Sequence, residues 1–130
     1  MKFAIALFGP AHAPASRRAL RFAEAALASG HEIVRLFFYQ DAVHVTASNV
    51  VSGQDELDLP KSWREFVSQH ELDAVVCIAA ALRRGVLNDE EAQRYNRPAA
   101  NLQQPWELSG LGQLHEAAQM ADRLMCFGSH

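Results

Sequence analysis

Apolar residues fall into short runs and helical spacings that alternate along the chain. Lys2 to Phe8 is almost wholly apolar, the pattern of an interior strand buried on both faces. Gly9-Pro10 ends it. Ser16 then stands as an N-cap for a helix to Ser29, with Leu20, Ala23 and Leu27 on one face and Phe22 and Ala26 beside it. Gly30 supplies the residue just past the helix end, and His31 to Phe38 reads as a second strand. Residues 1–38 therefore form one βαβ unit, whose crossover should be right-handed.

Tyr39 to Leu59 is the least regular stretch. Asp41 to Val45 suits a short helical turn, and Ser48 to Gly53 is rich in turn formers. A connection this long in a small domain is usually functional or an interface. Its apolar residues from Ala42 onward predict a surface that another chain covers. Asp58 followed by Leu59-Pro60 starts a helix that buries Trp63, Phe66 and Val67 and ends near His70. A third strand over Asp73 to Cys77 runs into a helical Ala-Ala-Ala-Leu-Arg-Arg segment stopped by Gly85. Asn88 or Asp89 caps a further helical piece that must end before Arg97-Pro98. Pro98 to Leu102 is a weak strand candidate and Gln103 to Leu108 a loop. Ser109 caps the last helix, with Leu111, Leu114, Ala118 and Ala121 on its buried face, and Arg123 to Phe127 is the closing strand. This alternation predicts one α/β domain over residues 1–130, with three layers: a mostly parallel sheet of about five strands and helices on both faces.

Composition narrows the function. With 49% apolar and 21% charged residues and no low-complexity tract, the chain reads as a soluble globular protein. A formal net charge of −3 argues against a nucleic-acid-binding face made by this chain alone. The opening apolar run, Phe3 to Phe8, is too short for a membrane span or a signal segment, so the expected compartment is the cytoplasm. Cys77 and Cys126 share no zinc or redox spacing, and in a reducing compartment both should be free thiols.

The chemistry concentrates at Asp73-Ala-Val-Val-Cys77-Ile-Ala-Ala-Ala-Leu-Arg83-Arg84-Gly85. Cys77 falls near the carboxyl end of a strand and ahead of a helical turn, where open α/β sheets bind ligands. The helix start and the guanidinium groups of Arg83 or Arg84 would favour a thiolate there. Two readings stand: a reactive thiol, or a small buried hydrophobe. Cys126, on an apolar strand, reads as a core residue. The loop from Gly9 to Ser16 has the position of a phosphate cradle without its glycines and lysine, so a flavin- or nucleotide-binding reading rests on topology alone. None of the six histidines (His12, His31, His44, His70, His115, His130) pairs with another ligand at zinc spacing, so no metal and no cofactor are expected. Phe37-Phe38-Tyr39 reads as core, not as a stacking platform.

Longer motifs add to this. Phe3-Ala-Ile, Gly9-Pro10-Ala11, Gly30-His31-Glu32, Phe37-Phe38-Tyr39, Cys77 to Gly85, Asn101-Leu-Gln-Gln104 and Leu108-Ser-Gly-Leu-Gly112 follow one another over nearly the whole chain. In this the chain resembles the DsrE/DsrF-like sulfurtransferase subunits, nearest their TusD-like branch. Ala42 and Trp106 depart from that pattern, which has glycine and phenylalanine there. The resemblance implies that Cys77 carries sulfur as a persulfide. It implies a heterohexamer with TusB-like and TusC-like companions, two copies of each, a TusA-like donor and a TusE-like acceptor, working toward 2-thiolation of the tRNA wobble uridine. It leaves open a DsrE-like role in sulfur oxidation, or a non-catalytic assembly subunit.

Overall fold

A computed structural model of the chain describes residues 1–128; Ser129 and His130, and with them the sixth histidine, lie outside the described residues. The elements are β1 (Lys2–Leu7), α1 (Pro14–Ala28), β2 (Glu32–Phe38), a 3-10 helix (Gln40–Thr46), α2 (Leu59–Gln69), β3 (Ala74–Cys77), α3 (Ile78–Arg83), α4 (Asp89–Arg94), β4 (Glu107–Ser109), α5 (Gly112–Met120) and β5 (Arg123–Phe127). The five strands form one sheet in the order β4-β3-β2-β1-β5, every neighbouring pair parallel. The predicted α/β architecture is therefore present, with all of its strands parallel.

Alternation along β2 sorts the layers. Phe38 meets Trp63 of α2 and Trp106 edge-on at ring separations of 5.5 and 5.0 Å. Trp63 also donates from Nε1 to Ser16 Oγ of α1 at 3.2 Å, which puts α1 and α2 on one face. Arg35, three positions before Phe38, points to the opposite face and reaches α5. Arg35 is 8% exposed, an unusual place for a charge. It donates from Nε to Asp73 Oδ2 at 2.8 Å and through its terminal nitrogen to Gln113 O at 2.9 Å and Glu116 Oε1 at 3.1 Å. Burial alone would lower its pKa; the bonds to Asp73 and Glu116 outweigh that and raise it above its ordinary value. This clamp fixes the start of α5 against the sheet.

Several boundaries differ from the sequence reading, each for a local reason. Helix α1 begins at Pro14, whose fixed φ suits a first helical position, with Ala13 as N-cap. Ser16 then falls on the inward face and is 2% exposed, so it bonds Trp63 instead of capping. The fourth strand is Glu107–Ser109, not Pro98 to Leu102. The amides of Asn101 and Leu102 both bond Leu87 O, which ties the earlier segment to the loop after α3 and away from the ladder. Ser109 consequently ends a strand, and α5 starts at Gly112 with Leu111 as N-cap. Ala117 is the fully buried residue of α5, whereas Leu111 is 49% exposed. The start of the 39–59 connection also lies inside: Ala42, Val43, Val45 and Ala47 belong to the chain's own core, leaving Val51 and Leu57 as its exposed apolar residues.

Cys126 is exposed, contrary to its expected core position. On β5, an edge strand, it pairs in register with Ala6 of β1, so it points to the α5 face. Leu124, on that same face, is 39% exposed, because α5 lies mainly over β1 and β2. At the end of β5, Gly128 has φ +80, and a Cβ there would stand 2.8 Å from the Gly9 backbone nitrogen. Gly128→Ala should cost roughly 1–3 kcal/mol, since it combines left-handed backbone with a backbone clash. Cys126→Ala should stay within about 0.5 kcal/mol of the parent, as surface changes do. Urea denaturation midpoints of the two variants check both values.

Candidate functional site

Strand β3 is short and buried along its whole length, and it passes directly into α3 with no intervening loop. Cys77 is both the last strand residue and the N-cap of α3, with φ −63 and ψ 117. The thiol is 3% exposed and belongs to the hydrophobic core. It sits at the carboxyl end of an interior parallel strand, where the sequence reading located it.

Its neighbours follow from the ladder. Cys77 is paired in register with Ser109 on β4. On the other side Val76 pairs with Phe38, so Tyr39, the residue just past β2, comes up toward Cys77. Tyr39 itself packs edge-on against Phe8 and Phe37 at 5.9 and 6.2 Å. After Tyr39 the chain turns at Gln40, whose φ of 52 is left-handed. Such a conformation in a residue with a side chain costs about 1–3 kcal/mol and is concentrated at functional sites.

The two arginines separate. Arg84 Nε donates to Asp41 Oδ1 at 2.8 Å and its terminal nitrogen to Ala80 O at 3.2 Å, so its charge clasps α3 to the 3-10 helix. Arg83 is exposed and has no ion-pair partner among the described residues. It lies between two depressions. One, of about 330 Å³, is walled by Tyr39, Gln40, Asp41, Ala79, Ala80 and both arginines. The other, of about 650 Å³, runs over Leu82, Leu87, Tyr95 and Pro98, with Arg97 as its second cation. Neither is lined by Cys77 itself; they open one helical turn beyond it. A further groove, of about 790 Å³ between Glu24 of α1 and Phe66 and His70 of α2, includes Leu72 just before β3 and thus lies toward the opposite end of that strand.

The other candidates stay apart. Cys126 is three strands away, a lateral separation of about 14 Å at the usual strand spacing. A disulfide needs Cα atoms within about 7 Å, so the two thiols do not pair within one chain. In the first turn of α1, Ser16 is occupied by Trp63. Among the described residues no three His, Cys, Asp or Glu side chains gather as a metal cage. Sequence reasoning missed Ser109, which it took for a helix cap, and Asp41, whose partner is 43 positions away.

A buried strand-end thiol, small residues on the following turn and a free arginine at the crevice make a site suited to sulfur chemistry in a single α/β domain. The chain belongs to the DsrE/DsrF-like family, whose model matches residues 1–127. It is 79% identical over 128 residues to the sulfurtransferase TusD homolog of Pseudomonas aeruginosa, covering 98% of each chain. Identity to sulfurtransferase TusD of Salmonella arizonae is 43% over 128 residues, with 98% of this chain and 100% of that one covered. A protein of Allochromatium vinosum that carries the name DsrE is 47% identical over 129 residues, with 98% and 99% covered. The fold matches the crystal structure of the ychN protein from E. coli with a TM-score of 0.73 at 20% identity, over 97% of both chains. The chain is thus a sulfurtransferase of this family.

The clasp gives a checkable titration. The hydrogen bond from Arg84, then its charge, holds the Asp41 carboxyl below its ordinary value of 3.8. A depressed folded pKa means that the pair contributes above the unfolded value and is lost only as pH falls through the folded one. The clasp should therefore stay closed throughout the neutral range. In Arg84→Gln the Asp41 midpoint, followed by NMR of its carboxyl carbon, should rise toward 3.8; an unchanged midpoint would contradict the pairing.

Proposed function

We propose that the chain carries sulfur as a persulfide on Cys77, taking it from a TusA-like donor and passing it to a TusE-like acceptor. TusB-like and TusC-like companions complete the working assembly, a heterohexamer, and the product is 2-thiouridine at the tRNA wobble position. The reading belongs to the cytoplasm, where thiols stay reduced. What carries it is the position of Cys77 at the β3–α3 junction in a chain 79% identical to a TusD homolog.

The chemistry needs only thiols. The Cys77 thiolate attacks the outer sulfur of a donor persulfide, R–S–SH. The donor S–S bond breaks, the donor leaves as R–S⁻, and Cys77–S–SH remains. An acceptor thiolate then attacks the outer sulfur of the protonated Cys77–S–SH, the S–S bond breaks, the acceptor becomes the persulfide R'–S–SH and Cys77 leaves as a thiolate. The transferred sulfur keeps its oxidation state, so no external electron donor enters. Rates follow thiolate fraction, leaving-group acidity and access, as in thiol–disulfide exchange. The alanines at 79 and 80 leave room at the crevice for an incoming chain, and Arg83 offers a cation to an anionic sulfur or a partner carboxylate. Arg84, held by Asp41, acts by fixing the turn. The separation from Cys126 protects the persulfide, since a nearby thiol would displace the outer sulfur and close a disulfide.

A second reading has its own support: Cys77 is 3% exposed and lines neither of the two depressions beside it, as a structural cysteine in an assembly subunit would be. A third, sulfur oxidation, has the 47% identity to the DsrE-named protein behind it, less than the 79% of the TusD homolog. A reconstituted relay with loaded donor, companions and acceptor decides among them. Cys77→Ser, nearly isosteric, should assemble and melt normally yet deliver no sulfur, whereas Cys126→Ala should deliver it at close to the parent rate. Full transfer by an assembled Cys77→Ser complex would make the cysteine structural.

A further inference from the structure

We infer that Ser109 is a second functional residue of this site, its hydroxyl donating a hydrogen bond to the Cys77 sulfur once that sulfur is anionic. The inference rests on the proposed persulfide reading and extends it to the groups that hold the charged sulfur. It starts from the ladder: Cys77 and Ser109 are register partners on adjacent parallel strands. Residues paired in this way project to the same face, from backbones about 4.8 Å apart. A serine hydroxyl reaches across such a gap by rotation about one side-chain bond.

The hydroxyl is also available. Ser16 and Thr46, the buried hydroxyls of the core, each have a partner, Trp63 Nε1 and Val43 O. Ser109 is half-buried, and its hydroxyl engages no group among the described residues. A neutral thiol is a weak acceptor, whereas hydrogen bonds to ionised groups are shorter and about twice as strong. The partner that Ser109 lacks at rest is the one that ionisation, or loading with a second sulfur, creates beside it.

The loop after Ser109 is built to hold it and to leave the approach open. Its first end is set by the β3–β4 ladder and its far end by Arg35, which binds Gln113 O and Glu116. Gly110 and Gly112 both lie outside the left-handed region, and a Cβ on either would meet nothing within 4 Å. Neither glycine is demanded by backbone or by crowding. Their effect is to keep side chains away from the rim beside Ser109, where a partner's thiol would enter.

The test uses the full chain in a Cys126→Ala background, so that one thiol remains, with the iodoacetamide rate measured from pH 5 to 10. Ser109→Ala should move the midpoint of the Cys77 profile up by roughly one pH unit and slow alkylation at neutral pH about tenfold, the usual worth of a hydrogen bond to a charged group. Its thermal midpoint should match the parent, and Ser109→Thr, which restores a hydroxyl, should recover the parent profile. A Ser109→Ala profile superimposed on the parent's would overturn the role of Ser109 while leaving Cys77 reactive. A parent Cys77 unmodified at every pH would overturn the persulfide reading and this inference together.

Discussion

The site depends on the direct passage from β3 into α3. Four buried strand residues end on Cys77, and the same residue is the cap of the next helix. No loop intervenes, so the thiol has little freedom and its surroundings are set by the sheet register. The parallel ladder brings Tyr39 and Ser109 alongside, and the first turn of α3 brings Ala79 and Ala80 to the rim. Because the sheet is all parallel, the strand ends that gather here come from β1, β2, β3 and β4 together, which is why residues far apart in sequence share one crevice.

Two arginine clamps brace the elements that carry the site. Arg84 ties α3 to the 3-10 helix through Asp41, and Arg35 ties β2 to the start of α5 through Glu116 and Gln113. The partly exposed Arg84–Asp41 pair contributes little stability on its own, so its main effect is geometric. The Arg35 guanidinium is buried, and its bonds to Asp73 and Glu116 offset the cost of that burial. Arg83 is left over from both, exposed between the two depressions, as the cation an anionic partner would meet.

Much of this was legible in the sequence. The βαβ opening, the Asp58 helix start and the location of Cys77 at the end of an apolar strand follow from local pattern, and local pattern is what sets them. Ser109 was misread because serine before a helix resembles a cap, and nothing local says that β4 ends on it; the pairing with Cys77 is a tertiary fact. Cys126 was misread because an apolar strand looks the same at the edge of a sheet as at its centre, while only strand order tells whether its outer face is covered. The 39–59 connection was read as surface for the same reason, whereas Val43 and Val45 close the chain's own core. Asp41 and Arg84 are 43 positions apart, and the charge pattern along the chain gives no sign that they meet.

The central claim is that sulfur rests on Cys77. Peptide mass spectrometry of the assembled complex, after incubation with a sulfane-loaded donor and trapping of persulfides, reads this directly. The account predicts one added sulfur on the peptide carrying Cys77 and none on the peptide carrying Cys126, with the addition removed by the acceptor. Sulfur found only on Cys126, or on neither peptide while the complex still delivers sulfur, would contradict it.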